Sequence, residues 1–489
     1  MWRDVHGPKD EFEEGGNPFL KLLWERGVQH EADIIENFGF EFVDCSKGSE
    51  AERIAKTKDA LANRAAYIYQ GVLAHGDLFG IPDLLHFVDG EYVPIEIKSG
   101  SATEGSDDSG KEGKLKKEYA VQLALYCDIL NRRGLNNSRK AFIIDTTGEQ
   151  FSYSLNDPKT IRPLETYWEF YERIRSEVAS LLANEKQNDP AMCSSCSDCG
   201  WYTSCKKWCA ESDDLTQLVD FGRTKRDIFK QDLGFADVVS LLSVDSAEVM
   251  RRKKELKKTG VSFLRNITDK TIETAQRRGR LLKENGEPLM HSKFEFPEAS
   301  TELFFDIETD PTQDFVYLHG FWIRSKEASE FKHFTVRKPG PEAEMQKWME
   351  VLDFVRSFNP SETAVYYYSS FEKTSYRRLQ KKYPEAISLE ELDSLFARPN
   401  VIDLYTDIIR SRTDWPLGSY SIKSIATSRF IGFKWRDETP SGALSIQWYN
   451  DFINTGDEDI LQRILEYNED DCKATMAVKD YLKKRMDTM

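Results

Sequence analysis

The sequence predicts an α/β protein in which two α/β domains flank a helical connector. Near residues 78–134, a hairpin pattern of two apolar runs and a later amphipathic helix predict the first α/β domain. Residues 211–297 show a strongly charged helical pattern, and strand and helix signals alternate again from residue 298. We therefore expect domains over residues 1–210, 211–297 and 298–489.

Composition and charge restrict the classes of function. The 489 residues carry a formal net charge of −16, which excludes a basic field over the whole surface. Nucleic acid would have to contact local basic patches, for which residues 114–117, 251–258 and 277–283 are candidates, although such stretches are also typical of solvated helix faces. No apolar run could span a membrane and the start lacks a signal-peptide pattern, so we expect a soluble cytoplasmic protein without a membrane partner.

The first domain contains a predicted β-hairpin. Two apolar runs flank the turn signal Asp89-Gly90, and a helix with apolar spacing ends at Gly134. The Ser-, Gly- and acid-rich segment 99–113 between them predicts a flexible loop. Asp83 lies on the first arm of the hairpin and Glu96 on the second, so the two carboxylates are expected on adjacent strands.

These carboxylates form a candidate metal site. A carboxylate pair suits a hard cation such as Mg²⁺, and Lys98, on the same strand face as Glu96, could orient water and offset charge on a phosphate. Glu31, which we expect at the start of a helix, is a further candidate ligand. Gln122 and Tyr126 share a helix face and could bind a substrate or a metal-bound water. The alternative is an exposed hairpin with alternating charges.

The order of these residues resembles the PD-(D/E)XK nuclease superfamily, and within it the RecB type. The resemblance covers about residues 25–210, and the family pattern is seen as Gly27/Glu31, Gly80/Asp83, Glu96/Lys98 and Gln122/Tyr126. It implies a restriction-endonuclease-like domain, a DNA substrate, and a helicase as a candidate protein partner.

Five cysteines are crowded into one segment, Cys193, Cys196, Cys199, Cys205 and Cys209. Thiolates at this spacing can bind one centre, which by spacing alone is either a zinc ion or an iron–sulfur cluster. RecB-type nucleases often end in Cys-x₂-Cys-x₅-Cys around a [4Fe–4S] cluster, and Cys196, Cys199 and Cys205 match that spacing. The resemblance therefore favours [4Fe–4S] over Zn²⁺, with Cys193 or Cys209 as the fourth ligand because no cysteine precedes Glu31.

A second set of acidic residues lies in the last domain. Asp306 and Glu308 share one face of a predicted strand, and Tyr467 and Asp471 share one face of a predicted helix. Glu372 follows an aromatic-rich strand at the start of another helix. Four carboxylates from three segments could hold two Mg²⁺ or Mn²⁺ ions for phosphodiester hydrolysis, with Tyr467 orienting the water. Solvated acidic strand ends and helix starts are the alternative.

This second set resembles the RNase H-like DEDD exonucleases of the Tyr-x₃-Asp variety, over about residues 298–489. Glu372 occupies the place of the family's second Asp, and Asp403 is a reserve ligand. The segment 419–426 is similar to a family segment in which Lys423 would contact phosphate.

The sequence thus predicts a metal-dependent nuclease with two candidate active sites. DNA that is single-stranded or has a free end is the expected substrate, and DNA is favoured over RNA because both resemblances include DNA enzymes. An RNA-processing exonuclease remains an alternative, as does a nucleic-acid-binding scaffold with an inactive last domain. Within the connector, residues 232–245 look similar to a helix-hairpin-helix element, although a plain helical connector is favoured.

Overall fold

The structure is a computed structural model that describes residues 2–13, 18–104, 113–159 and 164–489. Residues 105–112 of the predicted loop therefore lie outside the described residues. Contacts divide the chain into two compact units, of which the first contains Lys21–Asn188 and the second Asp189–Met489. The cysteine segment 193–209 therefore groups with the second unit, whereas the sequence assigns it to the end of the first predicted domain.

The first unit is built on a six-stranded mixed sheet in the order β1-β2-β5-β6-β9-β10, in which β1 and β2, and β6 and β9, pair in parallel. The strands are β1 (Val43–Asp44), β2 (Tyr67–Tyr69), β3 (Leu73–His75), β4 (Leu78–Gly80), β5 (Leu84–Val88), β6 (Glu91–Ile97), β7 (Thr103–Glu104), β8 (Lys114–Leu115), β9 (Lys140–Ile144) and β10 (Gln150–Ser154). The helices are α1 (Trp2–His6), α2 (Pro18–Glu36), α3 (Glu50–Ala62), α4 (Lys117–Arg132) and α5 (Tyr167–Leu182).

The predicted hairpin is formed by β5 and β6. Asp89 and Gly90 join the two strands with φ angles of 52° and 85°, a turn that favours a short polar residue followed by glycine. The predicted helix is α4, and Gly134 follows its end with a φ of 69°. Apolar residues of α4 pack into a core with the sheet, which places one face of that helix beside β6.

Helix α2 differs from the sequence-based prediction. It begins at Pro18 and continues to Glu36, so Glu31 lies well inside the helix and not at its start. Proline is favoured in the first helical turn, and Gly27 is tolerated inside the helix at a modest cost. The helix therefore starts before the glycine that the motif pattern suggested as its beginning.

The second unit starts with a helical region. Its helices are α6 (Tyr202–Glu211), α7 (Arg223–Leu233), α8 (Val238–Leu242), α9 (Ser246–Lys258) and α10 (Asp269–Glu284), preceded or interrupted by 3₁₀ turns at Ser194–Asp198 and Leu215–Gln217. Helices α7 to α10 enclose an apolar core of their own, which includes Phe229, Leu241 and Ile272. Residues 232–245 form the end of α7, a turn at Gly234, helix α8 and the Asp245 cap of α9.

The rest of the second unit is a five-stranded sheet with helices on both faces, in the order β14-β13-β12-β15-β16. The strands are β11 (Leu289–Met290), β12 (Thr301–Asp310), β13 (Phe315–Ser325), β14 (Ser329–Thr335), β15 (Thr363–Tyr367), β16 (Val401–Asp403) and β17 (Thr413–Asp414), of which β11 and β17 form a separate pair. The helices are α11 (Pro341–Arg356), α12 (Phe371–Lys382), α13 (Leu389–Phe396), a π-helix (Leu404–Ile409), α14 (Arg410–Arg412), α15 (Ile422–Ala426), α16 (Gly442–Thr455) and α17 (Glu458–Met486).

Strand β12 is central to this sheet because it pairs antiparallel with β13 and parallel with β15. Successive residues of a strand point to opposite faces, so Phe304 packs into one core with α17 and Phe305 into the other core with α11 and α12. The register with β13 shifts between Glu308 and Thr309, where the strand carries its last acidic residues. Within the described ranges, no helix has both the length and the apolar character needed to cross a bilayer.

A buried carboxylate connects the helical region to the sheet domain. Asp414 of β17 accepts hydrogen bonds from Arg277 Nε (3.0 Å) and Arg278 Nε (2.8 Å), both on α10. The His291 Nε2 atom lies 2.7 Å from the same carboxylate. Removing Arg277 and Arg278 would leave the Asp414 carboxylate in the interior without a compensating positive charge, which is strongly destabilising.

Candidate active sites

The first site is assembled where β5 and β6 lie side by side. Asp83 directly precedes β5, and its Oδ2 accepts a 2.7 Å hydrogen bond from the backbone N–H of Ile97 at the end of β6. Glu96 lies one residue before Ile97 and is 5% exposed, while Lys98 directly follows the strand. The hairpin therefore places the three predicted residues in one small region of the first unit.

Helix α4 completes the surroundings of Glu96. The Lys98 ammonium and the Gln122 side-chain amide both donate to Glu96 Oε1, at 3.0 and 2.6 Å. The same amide lies 2.8 Å from the Tyr126 hydroxyl, as the helical spacing of the two residues predicts. Glu96 Oε2 is buried without a hydrogen-bond partner among the residues described. A buried acceptor of this kind suits a bound cation, so the donor set fits Mg²⁺ or Mn²⁺.

Glu31 approaches the first site from α2. Its Oε1 accepts hydrogen bonds from the Tyr69 hydroxyl (2.9 Å) and the Gln70 amide (2.7 Å), which hold it next to the sheet. Burial, together with the charges of Glu96 and Glu31, raises the pKa of Asp83 to about 8. Burial also raises the pKa of Glu96, against the opposing effect of Lys98. These carboxylates repel one another, and a divalent cation would relieve that repulsion.

The second site is the most compact acidic cluster in the described part of the chain. Asp306 and Glu308 of β12 and Asp471 of α17 each direct a carboxylate oxygen into one space, where the ligand atoms lie within 4.8 Å of one another. Among the described residues, no other group of three acidic, His or Cys side chains converges this closely. Burial and mutual repulsion raise the pKa of Glu308 to about 8, and they also raise the pKa of Asp306. This arrangement suits a divalent metal ion.

Two residues that sequence reasoning missed hold this cluster in place. The Asn468 side-chain amide lies 2.8 Å from Asp306 Oδ2 and 3.4 Å from Glu308 Oε1. The Trp435 indole N–H donates to Asp471 Oδ1 at 2.8 Å. Asn468 follows Tyr467 on α17. A polar residue on the buried face of that helix could have indicated its contact with the acidic cluster from the sequence. Trp435 comes from an irregular segment, and nothing in the local sequence indicates its contact.

Glu372 lies at the edge of the second site, in the first turn of α12. Burial raises its pKa to about 8, to which the nearby charges of Asp403 and Asp471 contribute. Glu372 Oε2 is buried without a hydrogen-bond partner among the described atoms. Asp403, the predicted reserve ligand, instead accepts the backbone N–H groups of Tyr405 and Thr406 at its Oδ1, both at 3.0 Å. Of these two carboxylates, Glu372 is therefore the one with an oxygen that accepts no hydrogen bond from the described atoms.

Tyr467 and Lys423 lie next to each other on one side of the second site. The Lys423 ammonium donates to the Tyr467 hydroxyl (3.0 Å) and to the carbonyl of Pro440 (2.7 Å). Burial and the charge of Asp471 raise the pKa of Tyr467 far above its usual range. The phenol therefore keeps its proton and acts as a hydrogen-bond donor. Lys423 holds this hydroxyl, a contact that the sequence did not indicate.

The cysteine segment shows a close pair of thiols. Cys193 Sγ and Cys196 Sγ are 3.5 Å apart, and the charges of Cys193 and Cys205 raise the pKa of Cys196 in addition to its burial. Cys199 is exposed in the same segment. Cys209 is buried, and its sulfur lies 3.8 Å from the Thr216 hydroxyl. The structure therefore brings Cys193 and Cys196 together and buries Cys209, while Cys205 interacts electrostatically with both Cys196 and Cys209.

The two folds and their acidic sites define a class of protein, the metal-dependent enzymes that hydrolyse nucleic acids. Comparison with family models identifies the members of that class. Residues 18–206 match the PD-(D/E)XK nuclease superfamily, and residues 303–483 match the RNase_H superfamily. The chain therefore carries one nuclease domain of each superfamily, as its motifs predicted. Searches of curated proteins and of solved structures gave no match to the chain.

Proposed function

We propose that the protein hydrolyses phosphodiester bonds of DNA at single strands or strand ends, with one active site in each unit. The observation that carries this proposal is the convergence of Asp306, Glu308 and Asp471 within 4.8 Å. Mg²⁺ or Mn²⁺ held there would supply positive charge to the phosphate and lower the pKa of an attacking water. Glu372 is the proposed fourth carboxylate, because its buried oxygen has no other described partner.

The remaining side chains of the second site would position the reactants. Tyr467 keeps its proton and can donate a hydrogen bond to a water or a phosphate oxygen, while Lys423 fixes the direction of its hydroxyl. Asn468 holds Asp306, and Trp435 holds Asp471, so both carboxylates keep one orientation. In the first site, Lys98 would play the positioning role beside Asp83 and Glu96, and Gln122 and Tyr126 would contact substrate.

We further propose that the cysteine segment holds a [4Fe–4S] cluster, with Zn²⁺ as the alternative. The proposed ligands are Cys193, Cys196, Cys199 and Cys205, because the Cys193 and Cys196 sulfurs are 3.5 Å apart and Cys209 is turned toward Thr216. When bound, the cluster would supply stabilisation through its thiolate bonds. Thiolate centres persist in a reducing compartment, so this proposal includes a cytoplasmic location. An anaerobic absorption spectrum with iron and zinc analysis tests it.

The experiment that tests the nuclease proposal compares linear and circular single strands of DNA and RNA. The wild-type protein with Mg²⁺ or Mn²⁺ should cleave linear DNA, EDTA should stop the reaction, and Asp306→Ala should remove the products that need a free end. Preference for RNA would favour an RNA-processing exonuclease. If Asp306→Ala left all products unchanged, the second unit would be a nucleic-acid-binding scaffold and the proposal for that site would be wrong.

A further inference from the structure

A large cavity opens beside the second site, entirely within the second unit. Its volume is about 780 Å³. One wall is formed by the cysteine segment, including Cys193 and Tyr202, and continues through residues 216–222. The opposite wall is formed by the sheet domain, including Tyr368, Ser369 and Tyr405, together with residues 418–422. The cysteine segment is thus one side of a space whose other side contains Ile422, next to Lys423, and Tyr368, whose backbone contacts Glu372.

The sheet-domain wall of this cavity is continuous with the second site. The backbone of Tyr368 hydrogen-bonds the Glu372 carboxylate, and the Ser369 N–H donates to Asp403 at 3.0 Å. Ser369 has a φ of 113°, a strained conformation for a residue other than glycine, and such strain is concentrated at functional sites. On the other side, Ile422 lines the cavity and directly precedes Lys423. A strand that occupied the cavity would therefore arrive at the carboxylates.

A second cavity of about 490 Å³ adjoins the first, since both are lined by Val219, Asp220 and Phe221. Its lining contains two carboxylates, Asp220 and Asp414, and five Lys and Arg side chains. The Lys and Arg residues are Lys225, Lys270, Arg277, Arg278 and Arg410. Arg277, Arg278 and Arg410 form ion pairs with these carboxylates, so the excess positive charge is carried by the two lysines, in a chain whose net charge is −16. A polyanion would find a favourable position there.

We propose that the two cavities form one binding track for a single nucleic-acid strand that leads to the carboxylates of the second site. Tyr202 and Tyr405 are only partly buried, so unpaired bases can stack on their rings, while Lys225 and Lys270 receive phosphates. The bases of a duplex are paired and could not stack in this way. This inference rests on the proposed nuclease function of the second site and specifies its substrate as a single strand several nucleotides long.

The track also assigns a role to the cysteine segment. Tyr202 begins α6, between Cys199 and Cys205, so a centre bound by those residues would fix the position of its ring. The segment would then act as a substrate-guiding wall for the second site, although the PD-(D/E)XK match extends to residue 206. Tyr202 is a positioning residue for the strand, and it does not contact the reacting phosphate.

The test uses the full chain with Asp83→Ala in every variant, so that cleavage reports the second site alone. Lys270→Glu reverses a charge in the track, and an acidic residue suits its place in the first turn of α10. Lys326→Glu, in the exposed turn between β13 and β14, is the control for the change of charge. Tyr202→Ala removes the stacking ring. Substrates are a 20-nucleotide single strand and a chromogenic nucleotide phosphodiester that is too short to reach the track.

We expect Lys270→Glu to raise KM for the long strand about tenfold and to lower the slope of log Kd against log salt by about 0.7, the value for one phosphate contact on a single strand. Tyr202→Ala should raise the same KM about tenfold, as loss of one stacked base implies. Both variants should hydrolyse the short substrate like the parent, and Lys326→Glu should match the parent on both substrates.

The outcomes separate this inference from the proposed function. If Lys270→Glu and Tyr202→Ala have the parent's KM and salt dependence on the long strand, while Asp306→Asn is inactive, the track is wrong and the nuclease site stands. If Asp306→Asn retains the parent's activity, the proposed function of the second site fails. Equal losses on the long and short substrates would also overturn the track, because they would show damage to the site itself.

Discussion

The side-chain amide of Asn468 lies 2.8 Å from Asp306 Oδ2, across 162 residues of sequence. This contact requires α17 to lie very close to β13. A Cβ atom on Gly320 of β13 would be 1.7 Å from Asn468 Oδ1, a distance that no side chain could tolerate. Gly320 is therefore the residue that permits the helix to carry Asp471 up to the two carboxylates of β12.

We predict that Gly320→Ala displaces Asn468 and lowers metal-dependent cleavage by the second site. Loss of a residue that orients a metal ligand typically reduces metal affinity or activity by about 10- to 100-fold, and we expect this range. Asn468→Ala should produce a similar loss without the steric clash. Mn²⁺ titration of cleavage by the two variants provides the measurement. Gly442→Ala, where an added Cβ meets nothing within 4 Å, is the control and should behave like the wild type.

We predict that the two sites act independently. Asp83→Ala should abolish one set of cleavage products and Asp306→Ala the other, because each removes a buried carboxylate that the rest of its own site cannot replace. Each loss should reach about 100-fold or more, since a ligand matters at least as much as the groups that orient it. Product ladders from end-labelled and circular single strands provide the measurement. Loss of every product in Asp83→Ala alone would contradict independence.

His319 should make a contribution to stability that decreases in acid. It is buried next to the Tyr376 hydroxyl, at 3.1 Å from Nδ1, and burial lowers the pKa of His319 to about 3. In the unfolded chain the His319 side chain therefore binds a proton near pH 6.5, whereas in the folded chain it stays neutral. The contribution of His319 to stability is present above that pH and is lost below it. Between pH 7.5 and 5.5 the contribution of His319 to the free energy of unfolding should fall by about 1.4 kcal/mol, while buried carboxyl groups with raised pKa values, such as Glu308, change the stability in the opposite direction.

Urea denaturation of the wild type and His319→Gln in EDTA at these two pH values measures the effect. The glutamine cannot titrate, so over this interval the free energy of unfolding of the wild type should fall by about 1.4 kcal/mol relative to that of the variant. A difference between the two proteins that does not change with pH would show that His319 does not control this response.

Substitutions of different cysteines in the segment should have different effects on the metal content of the protein. Cys199→Ser should reduce the bound iron or zinc and lower the melting temperature of the second unit, because the segment packs within that unit. Cys209→Ala should retain the metal, since the Cys209 sulfur contacts Thr216 in the interior. Metal analysis and calorimetry of the purified proteins test both statements. Equal metal loss in both variants would make Cys209 a ligand and overturn the assignment.

The sequence predicted those features that depend on local periodicity. Asp306 and Glu308 share a face because they are two residues apart on a strand, and Gln122 meets Tyr126 because they are one helical turn apart. The hairpin turn at Asp89 was also a local signal. Contacts between distant segments could not be derived in this way. Trp435 reaches Asp471 from an irregular segment, and the contact depends on how that segment packs over α17.

Other differences arise where a local pattern allowed two interpretations. Glu31 lies inside α2 because the helix continues through Gly27, although glycine is equally compatible with a boundary. The contact of Lys423 with phosphate stays a prediction, and the structure adds that its ammonium donates to Tyr467 and Pro440. Asp403 was a reserve ligand, but it caps the π-helix that follows it. The partners of Lys423 come from other parts of the chain, whereas Asp403 is held by backbone groups only two and three residues further along.

The buried Asp414 determines which fragments of this protein could be expressed alone. Its partners Arg277, Arg278 and His291 all precede residue 298, where the last predicted domain begins. A fragment that starts at residue 298 would keep the carboxylate and lose both arginines and the histidine, so it would fold with an uncompensated charge or not at all. The smallest autonomous piece that contains the RNase H-like sheet must therefore include α10 and β11.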